Sequence, residues 1–148
     1  MIAAGSLKTQ ARLNPARENL KAVRVLLIED SLPVRERVRS LIEESTPVKI
    51  VGEAGTVDAA LALFHAHRPD AVVLDLSLSD GDGSSVLAGI KLSRPDCVVI
   101  VLTNFTIPES RKRCLKLGAD YFFDKSREFE RVPEVIGKLC RARSSDKI

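Results

Sequence analysis

From Val23 onward, short runs of β-branched and aliphatic residues alternate with longer stretches in which apolar residues recur every three or four positions. Runs of the first kind suit buried strands, and stretches of the second kind suit amphipathic helices. Strands are predicted at Val23–Ile28, Val48–Glu53, Ala71–Leu74, Cys97–Leu102 and Tyr121–Phe123. The first four are rich in Val, Ile and Leu, as in a parallel sheet covered by helices on both faces, and the last is aromatic. Helical stripes fall at Val34, Val38, Leu41 and Ile42, at Val57, Leu61 and Phe64, at Val86, Leu87 and Ile90, and at Phe129, Val132, Ile136, Leu139 and Cys140. Pro33 suits the first turn of the first helix, and Thr106 with Glu109 three residues on reads as a capping box opening a further helix over Ile107–Leu117. Pro69, Pro95 and Gly118 mark returns to strand. The order βαβαβαβαβα over Val23–Ala142, joined by right-handed crossovers, predicts an α/β fold, a doubly wound three-layer sandwich around a five-stranded parallel sheet.

In such sheets ligands bind beyond the carboxyl ends of the strands. Those positions carry Glu29 and Asp30 after the first strand, Asp75 after the third, Thr103 after the fourth and Lys125 beyond the fifth; the second strand end offers nothing obvious. Three carboxylates on one rim raise one another's pKa unless a cation neutralises them. A hard, oxygen-seeking Mg²⁺ (or Mn²⁺) suits one or two carboxylates together with waters and phosphate oxygens. A lysine and a hydroxyl on the same rim suit the remaining oxygens of a phosphoryl group.

Charge and composition narrow the field. The formal net charge of +3 arises from residues 1–22, where Lys8, Arg12, Arg17 and Lys21 face Glu18 alone, leaving 19 basic and 19 acidic residues from Val23 to the end. The folded body is therefore neutral and ill suited to a general grip on nucleic acid. Residues 1–22 read as a basic, flexible extension, and 143–148 as a short tail. The apolar runs are too short to cross a membrane and no secretory signal pattern is visible, which points to the cytoplasm. Cys97, Cys114 and Cys140, with His65 and His67, have no zinc-ligand spacing and read as reduced, partly buried thiols.

With these residues in place, the chain resembles the receiver domain of bacterial two-component response regulators, over about Val23–Ala142. The resemblance rests on VRVLLIEDS with Glu29 and Asp30, AVVLDLSLSDGDG with Asp75, VIVLTN with Thr103, and GADYFFDKS with Lys125. It implies a flavodoxin-like sandwich of strand order 2-1-3-4-5, the arrangement that general accounts of such folds illustrate with a chemotaxis receiver. It implies that Asp75 accepts a phosphoryl group from a phosphohistidine of a sensor histidine kinase or histidine phosphotransfer protein. Glu29, Asp30, Asp75 and the backbone carbonyl of Ser77 would hold Mg²⁺. Thr103 and Lys125 would contact phosphoryl oxygens, and movement of Thr103 would open space for the switch aromatic, Phe122. The implied protein is a signalling phosphoacceptor with only limited self-phosphorylation and autodephosphorylation, not a turnover enzyme. Its downstream protein target would meet the face of the fourth helix, fifth strand and fifth helix, which Arg111, Lys112, Arg113 and Lys116 make basic.

Several positions depart from the family pattern. Asn104 stands where a very small residue usually follows the threonine, Phe122 replaces the common Tyr with Tyr121 as a neighbouring substitute, and Ser126 and Ser79 replace frequent prolines. Gly83 keeps a turn glycine, and Phe105 and Ser77 occupy positions that tune hydrolysis in the family. The short stretch after the last helix reads as a single-domain regulator, with two alternatives: the receiver half of a DNA-binding transcriptional regulator, or a non-phosphorylated interaction module of the same fold. A flavodoxin-like cofactor binder is disfavoured because EDSLP is acidic where a phosphate cradle would lie, and an aspartyl-phosphate hydrolase because no second acid or base accompanies Asp75.

Overall fold

Every residue of Val23–Ile28 except Arg24 is apolar, and strand alternation sends those side chains into two separate cores. Leu26 and Ile28 face one way, and Val23, Val25 and Leu27 the other. The computed structural model describes residues 22–45 and 47–145. Its strands are β1 (Val23–Ile28), β2 (Val48–Ala54), β3 (Ala71–Leu74), β4 (Val98–Thr103) and β5 (Tyr121–Asp124). Between and after them run α1 (Leu32–Ser45), α2 (Val57–His67), α3 (Ser84–Ser93), α4 (Pro108–Lys116) and α5 (Arg131–Ser145). The five strands form one sheet in the order β2-β1-β3-β4-β5, with every pair parallel, as expected.

Helices α2, α3 and α4 cover one face through Ala60, Phe64, Val86, Leu87, Ile90 and Cys114. Helices α1 and α5 cover the other through Val38, Ile42, Val132, Val135, Ile136 and Cys140. All four residues of β3 are buried, so the strand leading to Asp75 lies in the middle of the molecule. Cys97, Cys114 and Cys140 are free thiols and fully buried rather than partly so; burial pushes the Cys97 thiol up to about 11, keeping it protonated.

The differences from expectation are local. The capping box does not form: α4 starts at Pro108, its N-cap is Ile107, and no side chain caps it. Pro108 holds Ile107 extended, at φ −64° and ψ 148°, so the helix cannot start early enough for Thr106 to cap it. Instead the Thr106 N–H donates to Asn104 O at 3.0 Å. Strand β4 is shifted one residue on, to Val98–Thr103, so Thr103 is its last residue rather than the first beyond it, and β2 and β5 each run one residue beyond their expected ends. The extension expected over residues 1–22 lies outside the described residues apart from Ala22, as do 146–148 of the tail. Residues 143–145 are helical, and Arg143 pairs with Asp70 at 2.9 Å.

An unanticipated antiparallel ribbon, Ser77–Leu78 with Gly81–Asp82, follows β3. Its two acidic residues accept from the first N–H groups of two helices: Asp80 from Val57 N at 2.6 Å at the start of α2, whose N-cap is Thr56, and Asp82 from Ser84 N at 2.8 Å at the start of α3. Gly83 closes the ribbon against the chain just after β3, donating its N–H to Leu76 O at 2.7 Å. A Cβ there would lie 2.4 Å from Asp75 O and 2.8 Å from Leu76 Cα, both backbone atoms that cannot swing aside.

Gly83→Ala is therefore expected to cost about 2 kcal/mol or more in urea denaturation. Gly81→Ala, which meets only Val57 Cγ2 at 3.5 Å, should be nearly neutral. Equal stabilities of the two variants would contradict the close approach at Gly83.

Candidate functional site

The parallel ladder carries its last main-chain hydrogen bonds into the residues expected to do chemistry. Glu29 N donates to Ala54 O at 2.8 Å, Asp75 N to Ile28 O at 2.9 Å, and Lys125 N to Thr103 O at 2.9 Å. Each functional side chain thus leaves from a backbone position that the sheet itself holds.

Glu29 and Asp75 are almost wholly buried, at 6% and 4% exposure, while Asp30 is exposed. One oxygen from each of the three lies within 4.8 Å of the others. Lys125 Nζ lies between the two buried acids, donating to Glu29 Oε1 at 2.6 Å and to Asp75 Oδ2 at 2.7 Å. The other oxygens receive main-chain donors: Ser31 N reaches Glu29 Oε2 at 2.9 Å, and Ser77 N reaches Asp75 Oδ1 at 3.2 Å. Burial pushes the Glu29 carboxyl above its ordinary value, with Asp75 adding to the rise and Lys125 and Ser31 opposing it. Burial alone would pull the Lys125 ammonium down, but its bonds to Asp75 and Glu29 outweigh this and raise it.

Thr103 is completely buried, and its Oγ1 accepts from Phe105 N at 3.2 Å. Phe122 is also buried, on the face covered by α2, α3 and α4, with the Arg111 guanidinium 5.5 Å from its ring centre. Tyr121 does not stand in for it. Strand alternation places Tyr121 on the opposite face, where its ring lies 5.8 Å from that of Phe123.

The donor set fits a hard divalent cation. All three side chains offer carboxylate oxygen, neither thiol nor imidazole is among them, and Asp30 makes no hydrogen bond or ion pair among the described residues. Ser77 lies two residues beyond Asp75 at the start of the ribbon. Asp80 and Asp82 are held by the first N–H groups of α2 and α3 and do not join the cluster.

Three contributions escaped the sequence reading. The end of β2 brings Gly55 so close that a Cβ there would lie 3.3 Å from Asp30 Cα, a proximity for which glycine in a loop is the only sequence signal. Arg35 borders a small cavity with Glu29 and Asp75 and pairs with Glu53 of β2 at 3.3 Å; its place one turn into α1 is the available cue. Asn104 and Ser126 hydrogen-bond to one another at 3.1 Å, a pairing with no sequence signature. Beside the site, a cleft of about 300 Å³ is lined by Ser77, Asp82 and the half-exposed Phe105, among others.

A family model described as the response regulator receiver domain matches residues 25–137. Response regulator protein VraR of Staphylococcus aureus is 28% identical over 122 residues, which is 82% of this chain and 58% of VraR. The chain thus spans little more than half the length of that relative. The signal receiver domain of the NarL regulator from Mycobacterium tuberculosis matches with a TM-score of 0.74 at 28% identity, covering 83% of this chain and 99% of that one. The receiver domain of AraT from Geobacillus stearothermophilus matches with a TM-score of 0.74 at 26% identity, covering 86% and 100%.

Lys125→Met would leave two buried carboxylates facing each other without their cation. At about pH 8, without divalent metal, the variant should lose about 3 kcal/mol in urea denaturation. Glu29 would then have a still higher folded pKa, and a raised carboxyl adds stability below its unfolded value that disappears as pH rises through the folded one. The loss should therefore shrink towards about pH 5, and added Mg²⁺ should restore part of it. A loss that ignores both pH and metal would contradict the role of Lys125 as internal counter-cation.

Proposed function

The chain belongs to the response regulator receiver family, and we propose that its site is a phosphoacceptor switch centred on Asp75. A receiver domain of two-component response regulators is a signalling protein and not a classical enzyme. The observation that carries the proposal for this chain is the placement of Asp75: buried at the end of the central strand, 2.7 Å from Lys125 Nζ and clustered with two further carboxylates.

Asp75 attacks the phosphorus of a phosphohistidine; the new O–P bond forms as the N–P bond breaks, and the imidazole takes back the bond pair and leaves neutral, keeping the proton already on its other ring nitrogen. Glu29, Asp30, Asp75 and the backbone carbonyl of Ser77 are the residues that would hold Mg²⁺ or Mn²⁺. Bound there, the ion would supply positive charge against the phosphoryl oxygens. Lys125, already against Asp75, gives positive charge where an equatorial oxygen will lie, so little reorganisation is needed. Thr103 supplies a hydroxyl to another oxygen. Its displacement towards Asp75 frees room for Phe122 to turn, linking the phosphate to the surface of α4, β5 and α5.

The receiver unit on this reading covers residues 23–142, and the phosphodonor is a sensor histidine kinase or histidine phosphotransfer protein. Arg111, Lys112, Arg113 and Lys116 on α4 suit a target with an acidic face. No helix among the described residues is long and apolar enough to cross a membrane. A second reading, the receiver half of a DNA-binding regulator, is favoured by the chain's coverage of only 58% of VraR. A DNA-binding response regulator of the LuxR family from Staphylococcus aureus also matches, with a TM-score of 0.73 at 25% identity.

Intact mass after incubation with acetyl phosphate should show a single phosphoryl adduct that requires Mg²⁺ and disappears in Asp75→Ala. An adduct surviving in the variant, or none in the unmodified protein, would overturn the assignment of Asp75.

A further inference from the structure

Strands β4 and β5 pair down to Thr103 and Asp124, and the Lys125 N–H to Thr103 O bond of 2.9 Å is the last main-chain link between them. Immediately beyond it, Ser126 Oγ donates to Asn104 Oδ1 at 3.1 Å. A side-chain bridge therefore extends the ladder by one step, joining the residue after Thr103 to the residue after Lys125. Both side chains are exposed, so the bond neither satisfies a buried group nor fills the core. Ser126 is tied to its own strand end, its N donating to Asp124 Oδ1 at 2.8 Å, and Asn104 O accepts from Thr106 N at 3.0 Å within the loop that follows β4.

We propose that Asn104 and Ser126 form a clasp that holds the receiver in its resting arrangement by tying together the segments that directly follow the phosphate-contacting Thr103 and Lys125. Neither touches the phosphoryl group; both are positioning residues, and the inference rests on the reading of Asp75 as phosphoacceptor. The segment from Thr103 to Thr106 is a compact turn, closed by the Phe105 N to Thr103 Oγ1 bond of 3.2 Å as well as the Thr106 N to Asn104 O bond. Displacing Thr103 towards Asp75 carries Asn104 with it. Two side chains this short, starting at 3.1 Å, leave hydrogen-bond range after about half an ångström of separation. The bond therefore exists in the resting state and is lost in the phosphorylated one, so it weights the equilibrium towards rest. These are the positions at which Asn and Ser replace the family's small residue and proline, and neither a very small residue at 104 nor a proline at 126 could make this side-chain bridge.

The test uses the full chain with Mg²⁺ and beryllofluoride as the phosphoryl probe, in the unmodified protein and in Ser126→Ala, Asn104→Ala, the double variant, Ser126→Thr and Asp75→Ala. Loss of one exposed neutral hydrogen bond should lower the half-saturating beryllofluoride concentration about threefold in each single alanine variant. The double variant should gain no more than either single one, and Ser126→Thr, which keeps the hydroxyl, should match the unmodified protein. In the resting protein, amide exchange at Phe105 should quicken in Ser126→Ala while that at Val99, inside β4, stays unchanged. Asn104→Ala also removes bulk beside the site, so the Ser126→Ala arm decides. Unaltered probe binding in Ser126→Ala, or effects that multiply in the double variant, would overturn the clasp while leaving Asp75 as acceptor. No probe binding by the unmodified protein, or equal binding by Asp75→Ala, would overturn the phosphoacceptor reading and the clasp with it.

Discussion

Lys125 Nζ lies within 2.7 Å of two carboxylates that are themselves buried at the rim of a parallel sheet, and most of the site's properties follow from that contact. Strands that run in one direction bring their carboxyl ends to one edge, so Glu29, Asp75, Thr103 and Lys125 are brought together wherever the sheet closes. Two buried acids without a cation would be expelled or protonated. The lysine makes their burial tolerable, and in doing so places a positive charge beside the proposed phosphoryl acceptor before any phosphoryl group arrives. Stability and reactivity thus depend on one ammonium group.

The loops around this centre are arranged mainly by main-chain hydrogen bonds and by acidic groups at helix starts. Asp80 and Asp82 look in sequence like further chemical candidates, yet they hold the first turns of α2 and α3 and fix the ribbon that follows Asp75. Gly83 lets that ribbon fold directly against the Asp75 carbonyl. The acids of this region therefore divide by role: those at the ends of β1 and β3 face the centre, while those in the ribbon brace it. Helix α4 starts without a side-chain cap because Pro108 delays it, which leaves Asn104 to Ile107 as a short loop between Thr103 and the helix.

Strand alternation also separates the routes by which the site can affect the surface. Phe122 belongs to the core shared with α2, α3 and α4, and Arg111 of α4 lies over its ring, so movement there bears on α4. Tyr121 and Phe123 belong to the opposite core with α1 and α5, and the Arg131 guanidinium lies 4.8 Å from the Phe123 ring centre. Adjacent aromatic residues in one short strand thus address different helices. An aromatic neighbour in sequence is no replacement for another when the period is two.

What the amino-acid sequence determined by itself was whatever depends on period and short spacing. The five strands, the five helices, the two-faced apolar pattern and the placing of acids, hydroxyl and lysine at strand ends could all be read, because each repeats or lies within a few residues. Tertiary structure alone decided who meets whom across long separations. Lys125 is 96 residues from Glu29 and 50 from Asp75, Asp80 is 23 from the helix start it bonds, and Ser126 is 22 from Asn104. Those pairings rest on loop positions good to a fraction of an ångström, set by the packing of both cores at once, and no local pattern encodes them.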